Sequence, residues 1–376
     1  MALENSSLDA IICVSPTNVL LSTGYWPVMG NSVAVFAGSG PVYLIVPEDE
    51  VEIAQATSAA EMIPYQPTSL SRLRSAIDAL SEPLASLMEK LGLQRSTIGV
   101  EILPGMQPAS YLSFNNFHVS FVDLLRRIQP YAMYMACDQI LEKEKATKTQ
   151  TEITLLQRAA NVAESGFKRA AYCIKVGMRE TEIASAVQSA FDTSHEAEGL
   201  TRSYGFFYCM SGPNSATAAA AYALTRQRTI DEGDLVMIHA NTCADGYWTD
   251  ITRTYIAGKP TDRQKAISNA IYEARAAALG SIRPGVVAST VDQAARQVME
   301  KRGFGEAFKH ATGHGVGFAA ANARCFPRIH PKSADVLEAD MTFNIEPAAY
   351  FEGYGGMRHC DVVAVTSTGA TVLTDF

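Results

Sequence analysis

The sequence lacks most of the features that would tie it to a membrane, to nucleic acid or to a disulfide framework. No apolar run reaches the ~18 residues that a membrane-spanning helix needs. The opening segment, MALENSSLDAIICV, has no basic stretch ahead of an apolar one and is not read as a secretory leader. Positive charge is in deficit: 31 Lys and Arg against 39 Asp and Glu give a net charge of −8, the wrong sign for binding phosphate backbones or anionic lipid. The seven cysteines (13, 137, 173, 209, 243, 325 and 360) are odd in number, scattered, and show no CxxC spacing. They are expected to be free thiols in a reducing, cytoplasmic setting.

What remains is an ordinary globular composition, 47% apolar and 19% charged. At roughly 100–200 residues per domain, a chain of this length is expected to form two domains. A smaller α/β unit is placed at 1–135 and a larger one at 136–376. In the first, the β-branched runs Ala10–Val14, Val33–Phe36 and Val42–Val46 predict strands, with shorter ones at Thr97–Val100 and Val119–Val122. Apolar spacing predicts a helix from Leu70 to Leu91, divided at Pro83. The charged stretch Met135–Lys148 reads as a linker or boundary helix.

The larger unit carries a weak internal repeat. Ile174-Lys-Val-Gly177-Met-Arg-Glu-Thr181 resembles Ile282-Arg-Pro-Gly285-Val-Val-Ala-Ser289, with Gly read as a helix stop and Thr or Ser as the next helix start. Each copy follows a long amphipathic helix that opens with a capping box, Thr149-x-x-Glu152 or Thr261-x-x-Gln264. Each ends in strand-like runs: Leu235–His239 and Tyr247–Ile256, then Thr342–Glu346 and Met357–Thr366. Helix–helix–strand–strand thus occurs twice, and two such units are expected to face each other about a pseudo-twofold axis.

Polar groups interrupt these strands at related positions. His239 ends LVMIH, Asp250 lies in GYWTDITRTY, Glu346 ends MTFNIE and Cys360 lies in GGMRHCDVV. The repeat pairs His239 with Glu346 and Asp250 with Cys360. His314 joins them from the glycine-rich HATGHGVGF, whose glycines allow close backbone approach. Buried carboxylates are costly unless paired or bound to a cation, so the set predicts a metal site or an acid–base site.

These segments, with FNIEPAAY and the N-terminal LDAIICVSPTNVLLSTGYWP, resemble the ordered signatures of the M24 family, which includes creatinase, aminopeptidase P and prolidase. The resemblance implies an α/β (α+β) fold: a pita-bread C-terminal domain behind a smaller creatinase-type N-terminal domain. It also implies a homodimer acting on a small-molecule or dipeptide-like substrate. The family's metallopeptidases bind two divalent ions through Asp, Asp, His, Glu and Glu. Carried over, that set falls on His239, Asp250, His314, Glu346 and Cys360, so two ligands have changed. The surviving set implies one divalent ion (Zn, Fe or Mn) and cleavage of an amide or related C–N bond.

The resemblance further places His310 on the substrate side, with His239, His310 and Glu346 as catalytic groups. Two of the family's histidines are replaced, near Ala219 and near Ala321, and His330 is the nearest substitute. Arg253 and Arg358 are candidate clamps for a substrate carboxylate. Two alternatives remain. One is a metal-free, creatinase-like hydrolase or lyase, with no metal cofactor and with Cys360 as a possible nucleophile. The other is a non-catalytic binding protein on the same fold.

Overall fold

The computed structural model describes residues 3, 6–28, 31–67, 75–102, 118–220, 224–320 and 326–376. The chain forms two compact units, which part between Lys145 and Ala146.

The first unit contains β1 (Ala10–Cys13), α1 (Pro16–Thr23), β2 (Val33–Ala37), β3 (Tyr43–Pro47), α2 (Val51–Thr57), β4 (Glu61–Tyr65), α3 (Ala76–Ala79), α4 (Ser81–Lys90), β5 (Thr97–Val100), α5 (His118–Ile128), β6 (Met133–Ala136) and α6 (Asp138–Ala146). Its strands form one mixed sheet in the order β4-β3-β2-β1-β5-β6. Alternate residues serve opposite faces. Ile11, Cys13, Ala34, Phe36, Leu44 and Val46 pack with Val19, Ala54 and Leu141. Ile12, Val33, Val35, Ile45 and Ile98 pack with Leu84, Leu87, Phe121 and Leu125. Helices therefore cover both faces.

Two sequence expectations are corrected here. Val119–Val122 is not a strand but lies in α5. Phe121, Val122, Leu124 and Leu125 are all buried, a spacing that suits one face of a helix, and this outweighs the β-propensity of the local run. The helix expected at 70–91 breaks at Leu80, and Pro83 sits in the first turn of α4, where its missing N–H costs little. Residues 70–74 lie outside the described segments. Edge strands β4 and β6 were not expected, and the charged stretch after Met135 holds the end of β6 and then α6.

The second unit contains α7 (Gln150–Cys173), α8 (Glu180–Asp192), β7 (Ser203–Ser211), α9 (Pro213–Ala216), β8 (Leu235–Ala244), β9 (Tyr247–Ile256), α10 (Asp262–Ser281), α11 (Ala288–Lys301), β10 (Thr342–Ile345), β11 (Ala348–Phe351), β12 (Gly355–Arg358), β13 (Asp361–Val365) and β14 (Ala370–Val372). Helix–helix–strand–strand does occur twice. Both capping boxes form, Thr149 with Glu152 and Thr261 with Gln264. The second helix of each copy does not begin at Thr181 or Ser289, however. The N-caps are Arg179 and Val287, two residues after Gly177 and Gly285, which end the preceding turns.

Strands β7, β8 and β9 form an antiparallel meander. Asp245 and Gly246 join β8 to β9 in a two-residue loop with φ of 45° and 91°. Positive φ at both positions suits the right-handed strand twist and fixes the register. Asn241 therefore faces Asp250, and His239 faces Thr252. Strands β10, β13 and β14 form a second sheet and β11 and β12 a hairpin. A bridge between Thr252 and Cys360 joins the two halves.

Candidate metal centre

The residues that close the centre arrive from separate segments that the fold brings side by side. The loop 312–314 runs beside β10, with Glu346 N–H bonded to the Thr312 carbonyl (2.8 Å) and Asn344 N–H to that of His314 (3.0 Å). A Cβ at Gly313 would lie 1.9 Å from the Asn344 carbonyl oxygen, so only glycine permits this approach. Asp292 of α11 anchors the loop by accepting from Thr312 N–H and Oγ1. On the other side, the bridge at Thr252 sets Cys360 in the gap between β12 and β13, behind Asp250.

Four of the expected ligands converge. One donor atom from each of Asp250, Glu346 and Cys360 lies within 4.8 Å of the other two. His314 Nε2 stands 3.3 Å from Asp250 Oδ2 and 3.8 Å from Glu346 Oε1. Such spacings suit the edges of a coordination shell with bonds of about 2.0–2.3 Å. Asp250 is buried, and its Oδ1 has no hydrogen-bond partner among the described residues. An orphaned carboxylate oxygen beside this donor set fits a single divalent cation.

The electrostatics agree. Burial acts to raise the Asp250 carboxyl, but the His314 hydrogen bond and nearby positive charge outweigh it and hold it below the ordinary value. Burial opposes protonation of His314, yet the Asp250 hydrogen bond and the Glu346 and Asp250 charges push it up to about 9. A proton on His314 thus stands where a cation would balance the two carboxylates. Burial, then the Asp250 and Glu346 charges, keep the Cys360 thiol protonated, and its Sγ donates to the Asp250 carbonyl (3.1 Å). An ionised nucleophilic Cys360 is therefore not what this environment makes.

His239 stands at the rim of this group. Its Nδ1 lies 3.6 Å from Asp250 Oδ1, 3.0 Å from Thr252 Oγ1 and 2.8 Å from Arg358 Nη2. Burial and then the Arg358 charge lower it to about 4. Arg358 is itself buried and also reaches Thr252 Oγ1 (2.9 Å), the Tyr350 hydroxyl (3.4 Å) and Glu346 Oε2 (3.8 Å). His310 is held through Nε2 to the Tyr350 hydroxyl at 3.0 Å and through Nδ1 to the Ala311 carbonyl at 2.8 Å, and burial lowers its pKa.

Two expected substrate groups lie elsewhere. Arg253 is occupied by Asp361 (2.7 Å) and by the carbonyls of Cys360, Thr374 and Phe376, so it pins the chain rather than a ligand. His330 is exposed and accepts from Lys332 N–H. His359 faces away from Cys360 and bonds Asp361. The alanines near Ala219 pack beside Met210, Met237 and Tyr350. Ala321 lies outside the described residues.

Sequence reasoning missed Asn344. Its Nδ2 reaches Asp250 Oδ2 (3.2 Å), His314 Nε2 (3.2 Å) and Cys360 Sγ (3.5 Å), while its Oδ1 accepts from His314 N–H (2.7 Å). The signal was present: a buried amide two residues before Glu346 shares its strand face.

Known proteins share this sequence pattern and fold. The metallopeptidase family M24 model matches residues 154–367, and the creatinase/prolidase N-terminal domain model matches 1–128. The chain belongs to metallopeptidase family M24, a family of hydrolases. An Xaa-Pro dipeptidase of Pyrococcus furiosus is 28% identical over 373 residues, 99% of this chain and 95% of the relative. The structure of the prolidase from Pyrococcus furiosus superposes with a TM-score of 0.77 at 26% identity, covering 100% of this chain and 98% of that one. An X-Pro aminopeptidase structure from Thermotoga maritima, at 21% identity and TM-score 0.81, shares the fold and covers 100% of this chain and 97% of its own. The two-domain pita-bread architecture is thereby established.

Proposed function

We propose that this chain hydrolyses the amide bond of a small Xaa-Pro-like dipeptide, using one divalent ion held by Asp250, His314, Glu346 and Cys360. The convergence of donor atoms from Asp250, Glu346 and Cys360, with His314 Nε2 beside Asp250 Oδ2 and Glu346 Oε1, carries the reading. The Xaa-Pro dipeptidase name of the Pyrococcus furiosus relative supports the substrate class. Imidazole and thiolate favour Zn²⁺ or Fe²⁺, and the two carboxylates also accept Mn²⁺. When bound, such an ion lowers the pKa of water or polarises a carbonyl.

The chain's own residues supply the rest. To hold an ion, His314 would have to give up its proton and Cys360 would have to ionise, so uptake would be accompanied by proton release. Glu346, at the edge of the centre, handles the proton of the attacking water. Arg358 holds Glu346 and Tyr350, and Tyr350 orients His310 as a neutral substrate-side group. The net charge of −8 leaves no reason to invoke nucleic acid. Among the described residues no helix is long and apolar enough to cross a membrane. We further propose a homodimer, which sedimentation would test.

Elemental analysis of the unchelated protein, paired with hydrolysis of alanyl-proline, tests the reading. One equivalent of Zn, Fe or Mn that disappears in Asp250→Ala, together with release of proline, is the expected result. No metal after incubation with excess Mn²⁺, Co²⁺ and Zn²⁺ would sink it.

A further inference from the structure

The wall formed by β7, β8 and β9 carries polar atoms that the metal centre leaves unused. His239 and Asn241 are two residues apart on β8 and share a face. Opposite them stand Thr252 and Asp250 on β9, and Tyr208 and Phe206 on β7. Tyr208 stacks on His239 with ring centroids 6.0 Å apart and 20° between planes, and Phe206 continues the stack at 6.4 Å and 27°. Both aromatic residues are half-buried.

The tautomer of His239 is fixed by its partner. A guanidinium has N–H donors and no acceptor, so Nδ1, 2.8 Å from Arg358 Nη2, must accept. The ring proton therefore sits on Nε2. A cation on Nδ1 would have to displace Arg358. A cation on Nε2 would force the ring proton onto Nδ1, against the Arg358 N–H. Beside the ring, Asn241 is 1% exposed; it bears on the His239 ring, and among the described residues neither its oxygen nor its nitrogen has a partner at hydrogen-bond distance. A buried carboxamide with both ends unpaired is rare and calls for a partner.

We propose that His239 is a fixed-tautomer hydrogen-bond donor to the substrate and not a metal ligand. Its Nε2–H, with the Asn241 carboxamide at the floor of the wall, receives an amide group whose apolar neighbour lies against Tyr208 and Phe206. An amide offers the acceptor that Nε2–H needs, and both the donor and the acceptor that Asn241 needs. The inference rests on the hydrolase reading for its substrate class; its exclusion of His239 from the metal shell rests on Arg358 alone.

The test uses the full chain as wild type, His239→Gln, Asn241→Ala and Asp250→Asn. In calorimetric titration of metal-depleted protein with Zn²⁺, His239→Gln should bind within about threefold of wild type, while Asp250→Asn loses the ion. Ring-nitrogen NMR, assigned by the signal missing in His239→Gln, should show a protonated Nε2 before and after Zn²⁺. For alanyl-proline, KM should rise about three- to tenfold in Asn241→Ala, with kcat changed less. Loss of Zn²⁺ in His239→Gln equal to that in Asp250→Asn would overturn the proposal, as would loss of the Nε2 proton on adding Zn²⁺. Should His239→Gln not fold, contact with Tyr208 assigns the ring signal. If alanyl-proline is not cleaved, the proposed reaction fails, and the Zn²⁺ and NMR arms still decide the role of His239.

Discussion

The centre has two corners built to opposite electrostatic purposes. In one, the carboxylates of Asp250 and Glu346 gather negative charge beside the Cys360 thiol and His314, and His314 is driven towards the protonated form. In the other, Arg358 supplies the positive charge and His239 is driven neutral, only 3.6 Å from the same Asp250. Two imidazoles beside one carboxylate thus differ because one faces two acids and the other a guanidinium. Residue type alone does not make a ligand; the charge on its far side decides whether its lone pair is free.

The acidic corner should be the easier to break. Asp250→Asn keeps the shape and removes the charge, and should lower metal affinity by well over about a hundredfold and abolish peptide hydrolysis, read by elemental analysis and proline release. Asn344→Ala should weaken metal binding by about 10- to 100-fold, because this amide orients Asp250, His314 and Cys360 without itself being a ligand. Calorimetric titration separates the two.

Arg253→Met marks the boundary of the comparison. It should destabilise the fold by about 3–5 kcal/mol in urea melts, leaving Asp361 buried with fewer partners, while metal affinity in the folded protein stays near wild type.

The smallest effects sharpen the contrast between the histidines. His314 has a folded pKa of about 9, above its unfolded value, so its contribution is full below about pH 6.5 and fades as pH rises through about 9. His239 has a folded pKa of about 4, so its contribution is full above about pH 6.5 and fades as pH falls towards 4. Each is worth at most about 3 kcal/mol. Thermal melts of the metal-free protein should therefore flatten on the alkaline side in His314→Gln and on the acid side in His239→Gln. Identical pH profiles for the two variants would mean that the corners are not distinct.

Much of this was legible without coordinates, for local reasons. Capping boxes, strand alternation and helical periodicity act over a few residues, and the elements they foretold at Thr149, Thr261, Val33 and Tyr247 are present. The misreading at Val119–Val122 arose where β-propensity and a helical pattern competed over a short run, and packing chose the helix. Arg253 and Arg358 look alike in sequence, each beside a suspected ligand strand. Only the fold sends one to Asp361 and the chain's last carbonyls and the other into the centre.

The sequence by itself determined the family, the two-domain α/β plan and the chemical types that meet in the centre, since these follow from ordered motifs and from the cost of burying polar groups mid-strand. Tertiary structure decided which atoms of those groups are available. That Arg358 takes Nδ1 of His239, that Asn344 ties three donors together, and that Asp250 keeps one oxygen unpaired depend on side chains brought together from distant parts of the chain. Electrostatic and hydrogen-bond energies are set by distances of a few ångströms, which no spacing along the chain specifies.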